Sequence, residues 1–369
     1  MKHLKMVNLF GQYQKIKSEI DTAIQEVIHS SAFINGPQVK SFRANLASYL
    51  GVKHVIPCAN GTDALQIALM TLDLKPGDEV ITPDFTFIAT VEVVALLGLK
   101  PVLVDVDPDY FTLDTAQLKK SISSRTKAII PVHLYGLCAN MTEILEIAGN
   151  SNIPVIEDTA QALGADYHDA SVAGKAGTLG TIGTTSFFPS KNLGCFGDGG
   201  AMITNNDTLA EKMSCIANHG AKVKYYHDEV GVNSRLDTLQ AAILDVKLRY
   251  LDSFAQARRK AADYYTTSLA GIPGIKTPAL PSYSNHVFHQ YTLQVDGKRD
   301  ELKEFLAKES IPTMIYYPVP MHSQKAFHIG GNFPVSDKLC KTVLSLPMDT
   351  EIKEKEQDFI CERIKQFYN

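Results

Sequence analysis

Apolar positions along the chain follow two rhythms. Ile16, Ile20, Ile24, Val27 and Ile28 recur at helical spacing until Asn35-Gly36-Pro37 interrupts them, and a second short helix is expected over 39–50, closed by Gly51. Residues 54–58 then read as a strand, Ala59-Asn60-Gly61-Thr62-Asp63 as a turn, and 64–72 as a helix. From there strands over 79–82, 101–106, 128–133 and 154–157 alternate with helices over 88–97, 113–122 and 141–149. Strands that are apolar throughout, separated by helices, predict an α/β fold with a mostly parallel sheet buried on both faces. In such sheets ligands collect at the carboxyl ends of the strands, and Asn60–Thr62, Thr86, Asp158, Gln161 and Lys191 all follow strands.

The rhythm changes further on. Gly174, Gly177, Gly180 and Gly183 recur every third residue, match neither a dinucleotide fingerprint nor a Walker loop, and read as irregular connection. A strand over 201–204, a helix over 209–217, a polar loop over 230–235 and a long amphipathic helix over 236–248, continued helically over 249–269, follow. Prolines, serines and tyrosines mark 278–285. Beyond them a smaller α+β segment is expected, with strands over 290–295 and 313–316, a helix over 300–308 and terminal helices. The expected boundary lies near residue 250, giving a large domain over 1–250 and a small one over 251–369.

Composition narrows the function classes. A net charge of −4 with pI near 6.3 provides no basic footprint for nucleic acid. No apolar run reaches membrane-spanning length, and the first ten residues lack the apolar core of a signal peptide. Cys58, Cys138, Cys195, Cys215, Cys340 and Cys361 are scattered, with no C-x-x-C pair. They read as reduced thiols of a cytoplasmic protein without a metal site.

Candidate chemistry centres on Ser186-Phe187-Phe188-Pro189-Ser190-Lys191. Proline cannot donate to a ladder, so the strand is expected to end there. After the lysine, Gly194, Gly197, Gly199 and Gly200 crowd one loop, which allows close backbone approach. A lysine at the mouth of a sheet, beside aromatic packing, can shed its proton and act as a nucleophilic amine; a solvated turn lysine is the plain alternative. Asn60-Gly61-Thr62, between strand and helix start, suits a phosphate or is an ordinary turn. Asp158 puts a carboxylate at the rim of the sheet or caps the next helix. Jointly, a lysine for imine formation, a carboxylate to keep a ring nitrogen protonated, a phosphate cradle that Ser186 can join, and Phe85 and Phe87 to cover a ring form the set that pyridoxal 5′-phosphate requires.

Asn60-Gly61-Thr62-Asp63-Ala64-Leu65, Glu157-Asp158-Thr159-Ala160-Gln161, residues 186–200 and Gly231-Val232-Asn233-Ser234-Arg235 resemble, in order and spacing, the signature segments of DegT-type nucleotide-sugar aminotransferases. Residues 58–67 and 231–244 are similar to those of members acting on UDP-2-acetamido-2-deoxy-3-oxo-D-glucuronate in bacterial surface-polysaccharide synthesis. The resemblance implies pyridoxal-phosphate fold type I: a large domain with a mixed, mostly parallel seven-stranded sheet, a smaller C-terminal α+β domain, and a homodimer with shared active sites. It implies Lys191 as Schiff-base lysine and proton shuttle, Asp158 as partner of the pyridine nitrogen and Gln161 as a contact to the ring hydroxyl. Asn60, Gly61, Thr62 and Ser186 belong to the phosphate side, with Asn233 reaching it from the partner. Phe87 takes the stacking position, and Arg235, Tyr316 and Tyr317 face the substrate. Where the narrower group has His-Tyr-Pro, this chain has Tyr316-Tyr317-Pro318; tyrosine can hydrogen-bond but cannot carry a positive charge.

The expected activity is transfer of an amino group from L-glutamate to a keto carbon, at C3, of a nucleotide-linked sugar. The alternatives are a dTDP- or GDP-linked keto-deoxysugar as acceptor, a dehydratase, against which the presence of Lys191 speaks, and a non-catalytic regulatory relative.

Overall fold

Two ladders of strands meet edge to edge in the computed structural model, which describes residues 4–369. In chain order the strands are β1 (His54–Cys58), β2 (Glu79–Pro83), β3 (Lys100–Val104), β4 (Thr126–Ile129), β5 (Ile156–Asp158), β6 (Ile182–Ser186) and β7 (Gly200–Thr204). The ladder β1-β7-β6-β5 joins the ladder β3-β2-β4 through parallel bridges from Ile129 to Val155 and from Val132 to Asp158. One seven-stranded sheet results. β7 alone runs antiparallel to its neighbours, β1 and β6; the other pairings are parallel. Every residue of β2 and β7 is buried, as expected of strands covered by helices on both faces. The covering helices include Gly61–Thr71, whose Ala64, Leu65, Ile67, Ala68 and Leu69 are buried, and Ala89–Leu96.

From Ala261 onward a second core forms. β8 (Ile275–Lys276), β9 (Tyr291–Val295) and β10 (Val343–Leu346) make an antiparallel sheet. The helices Leu251–Leu269, Arg299–Lys308 and Glu354–Tyr368 contribute to that core, and Leu4 packs against it from the start of the chain. A smaller cluster, in which Phe85, Val106 and Phe111 meet Leu339, Cys340 and Val343, ties the two parts together. No helix among the described residues is long and apolar enough to cross a membrane.

Four expectations are corrected. The glycine-spaced stretch is not plain connection: Asp166–His168 and Ala173–Lys175 pair as a hairpin carrying Gly174, and Gly183 lies within β6. Between them the Glu157 carboxylate gathers the N–H groups of Gly177, Leu179 and Gly180 at 2.9, 2.7 and 2.6 Å. The helix expected over 236–248 does not run on unbroken through 249–269: Thr238–Leu248 and Leu251–Leu269 are separate helices with Arg249 and Tyr250 between them. The strand expected over 313–316 reduces to one bridge between Met314 and Ser345, after which the chain turns away. β10, fully buried, stands where only terminal helices were expected.

Candidate active site

Five parallel strands deliver polar residues to one end of the sheet, and β7 begins there, Gly200 pairing with both Cys58 and Ser186. A cavity of about 690 Å³ opens at that end. Asn60, Gly61, Thr62, Phe87, Asp158, Gln161, Ser186, Lys191, Tyr316 and Tyr317 all line it.

The candidate phosphate side is built by close approach. The Asn60 side chain caps the helix Gly61–Thr71 by accepting from Asp63 N at 2.8 Å. Gly61 and Thr62, in the first turn, keep N–H groups without a partner among the described residues, as helix starts do. A Cβ on Gly61 would stand 2.7 Å from Cβ of Ser186, and one on Gly200 would stand 2.4 Å from the Asn60 carbonyl oxygen. Only glycine lets these three turns close on one another. The result is two free amides, a helix N-terminus and a hydroxyl around one spot, a donor set fit for a phosphate.

Lys191 is fixed at its base. Its N–H donates to Phe188 O at 2.8 Å, Asn192 Nδ2 to Val287 O at 3.1 Å, and buried Lys247 Nζ to Gly194 O at 2.6 Å. Lys191 is half-buried and lines the cavity. Desolvation pulls the amine down to about 8, against a smaller upward pull from Asp158. The carboxylate is held independently: Thr90 Oγ1 donates to Oδ2 at 2.9 Å and Ala160 N to Oδ1 at 3.2 Å. Gln161 is held at both ends of its amide, Oε1 accepting from Tyr135 N at 2.7 Å and Nε2 donating to Tyr317 OH at 3.0 Å. A donor set suited to a phosphate, an amine low enough to be neutral in part at neutral pH, and a carboxylate across the same cavity fit pyridoxal 5′-phosphate.

Not every expected residue comes here. Phe85 is 1 % exposed and packs on Phe111 and Tyr317, so of the two aromatics expected to cover a ring only Phe87 faces the cavity. Asn233 is exposed and Arg235 half-buried, and neither lines the cavity of its own chain. Between them Ser234 Oγ accepts from Ala59 N and donates to Asp63 Oδ2 at 2.6 Å. Thr90, Tyr135 and His289 are additions to the sequence reading. The pair Thr86/Thr90, one helical turn apart just past a strand, was a readable signal for the first. Tyr135 and His289 arrive through tertiary packing and left none.

Residues 14–365 match the DegT/DnrJ/EryC1/StrS aminotransferase family. A pleiotropic regulatory protein of Geobacillus stearothermophilus is 49 % identical, the match covering 99 % of each chain. A UDP-2-acetamido-2-deoxy-3-oxo-D-glucuronate aminotransferase of Pseudomonas aeruginosa is 46 % identical over 97 % of this chain and 98 % of that one. The crystal structure of a family aminotransferase from Brucella abortus, 41 % identical, superposes with a TM-score of 0.95 over the whole of both chains. The chain belongs to this family; it is an aminotransferase of fold type I, and its cofactor is pyridoxal 5′-phosphate.

A lysine whose folded pKa lies below its unfolded value binds fewer protons folded than unfolded between about 8 and 10.5, so its contribution makes stability rise with pH across that window. Reactivity follows the same equilibrium. In cofactor-free protein, borohydride trapping of a small aldehyde on Lys191 should rise with pH with a midpoint near 8, and Asp158→Asn should move the midpoint lower. A midpoint at the ordinary 10.5, or one indifferent to Asp158, would contradict this electrostatic account.

Proposed function

We propose that this aminotransferase moves the amino group of L-glutamate to C3 of a UDP-linked 3-oxo sugar, with UDP-2-acetamido-2-deoxy-3-oxo-D-glucuronate the favoured acceptor. The 46 % relative, matched end to end, carries this reading. Other relatives support the position more firmly than the nucleotide. A UDP-N-acetyl-3-dehydro-glucosamine 3-aminotransferase is 44 % identical, and two transaminases named for dTDP-3-amino sugars are 40 and 37 % identical. Carbon 3 recurs across these names while the base changes. The regulatory name of the 49 % relative raises a second reading, a regulator without turnover; the retained amine, carboxylate and cradle speak against it.

The roles follow from where each group sits. Gly61 and Thr62 amides with the Ser186 hydroxyl would hold the phosphate, Asp158 the ring nitrogen, Gln161 the ring hydroxyl, and Phe87 a ring face. Bound there, the cofactor supplies an electron sink for carbanion chemistry. Lys191 Nζ, neutral in part near pH 8, takes the proton from Cα of the donor amino acid. In the second half-reaction it delivers a proton to the sugar carbon that receives the nitrogen, so the two halves alternate in one site. Asp158→Asn should lower turnover at least about a hundredfold, near 2.7 kcal/mol of transition-state stabilisation.

Among the described residues lining the cavity, the basic side chains are Lys191 and His289 alone. A sugar carboxylate therefore needs a cation from elsewhere, and Arg235 of a second copy, beside Asn233, would meet it in a shared dimeric site.

Incubation with ¹⁵N-glutamate and a panel of UDP-, dTDP- and GDP-linked keto-sugars tests the activity: the label should appear on C3 of a UDP-sugar. Labelling at another carbon, or none with any acceptor, would overturn the proposal. The shared site is tested by mixing Lys191→Ala with Asn233→Ala protein. Both should be impaired alone and, after subunit exchange, recover to about half of wild-type activity per heterodimer, one site being free of lesions. Demonstrated exchange without recovery would refute sharing.

A further inference from the structure

Directly after β2, the side chain of Asp84 is 0 % exposed. Removing a carboxylate from water so completely is costly unless its oxygens are paired, and here both are taken by one residue. His322 N donates to Oδ1 at 2.7 Å and His322 Nδ1 to Oδ2 at 2.8 Å, while Met321 N donates to the Asp84 carbonyl at 3.0 Å. The Nδ1 contact to a carboxylate fixes the proton on that nitrogen. The imidazole is also backed from behind. It stacks on Phe333, centroids 5.0 Å apart at 29°, and its Nε2 lies 3.6 Å from Asp337 Oδ1. Asp337 belongs to the first turn of the helix Pro334–Thr342, whose Val335 and Ser336 N–H groups are held at 2.9 and 2.8 Å by Asp105, just past β3. The charged groups facing the ring are thus Asp84 from the sheet and Asp337 from the helix, with Asp105 and Cys340 nearby on the Asp84 side.

Each partner leads into the cavity. Three residues beyond Asp84 is Phe87, and three further Thr90, which holds Asp158 at 2.9 Å. Five residues before His322 is Tyr317, whose hydroxyl accepts from Gln161 at 3.0 Å. The rings of Phe87 and Tyr317 stand 6.0 Å apart on the two walls. We propose that Asp84 and His322 are positioning residues: their clamp sets the spacing of the Phe87 and Tyr317 walls and, through them, the attitude of the cofactor and the fit of the amino acceptor. Neither touches the reacting groups. Apolar side chains could join the same segments, but a carboxylate gripped at once by the backbone N–H and the imidazole of His322 admits one register, which a wall of fixed spacing requires. The inference rests on the cavity being the transamination site proposed above.

Three variants test it: His322→Ala, His322→Asn, whose Nδ2 can stand in for Nδ1 toward Asp84, and Asp84→Asn. With the acceptor the wild-type enzyme turns over, His322→Ala should raise KM about tenfold while kcat changes less than about threefold, the split expected when acceptor fit is lost and chemistry is not. The visible circular dichroism of the bound cofactor should change in parallel. His322→Asn should return both toward wild type, and Asp84→Asn should lie between. Wild-type KM and dichroism in folded, cofactor-loaded His322→Ala would overturn the clamp. Should that variant not fold, an unshifted Asp84→Asn would overturn it equally. A wild-type enzyme that turns over no acceptor would instead sink the proposed function, and the dichroism of the same variants would still decide the clamp.

Discussion

Lys191 and Asp158 act on one proton in opposite senses: burial favours the neutral amine, and the carboxylate favours the ammonium. Attraction between unit charges grows steeply as they approach in a poorly screened cavity, so the balance depends on each being held where it is. Asp158 has both oxygens occupied from its own side, by Thr90 and Ala160. Lys191 stands on a loop fixed by Asn192 and by a second buried lysine, Lys247, beneath it. The amine therefore meets the carboxylate across the cavity as a neighbour, and its pKa comes to rest near 8.

That separation is a product of the sheet. Parallel strands deliver their carboxyl ends to one rim, and β7, running the other way between β1 and β6, brings the glycine-rich segment after Lys191 back to it. The turn after β1 and the end of β6 can then touch only where side chains are missing, at Gly61 and Gly200. The proposed phosphate cradle follows from the same closeness that the strand order imposes.

Much of this was legible in the sequence because it is local. Apolar strands with helical partners gave the sheet; Asn60–Thr62, Thr86, Asp158, Gln161 and Lys191 announced themselves by their place after expected strands, and Ser186 by standing five residues before Lys191. What escaped is carried by contacts distant in sequence. Nothing near Gly174 or Gly183 shows that the Glu157 carboxylate will gather three amides of the loop between them. The stretch near Met314 has strand composition, yet the chain leaves β10 after one bridge and brings Tyr316 and Tyr317 to the cavity. Phe85 and Phe87 look equivalent on paper, but Phe85 enters the cluster between the two cores and Phe87 alone faces the site. Asp84 and His322, 238 positions apart, carried no signal at all.

Lys191 is proposed as the reactive amine of this cavity, and Lys247 is its sharpest control, since burial lowers that lysine to about 8 as well. Lys247 lies under Phe196 with its amine on the Gly194 carbonyl, outside the cavity. Loading the protein with pyridoxal 5′-phosphate, reducing with borohydride and mapping the peptides by mass spectrometry separates the two. One cofactor-sized addition per chain is expected, on the peptide that carries Lys191. An addition on Lys247, or spread over surface lysines with Lys191 unmodified, would contradict it.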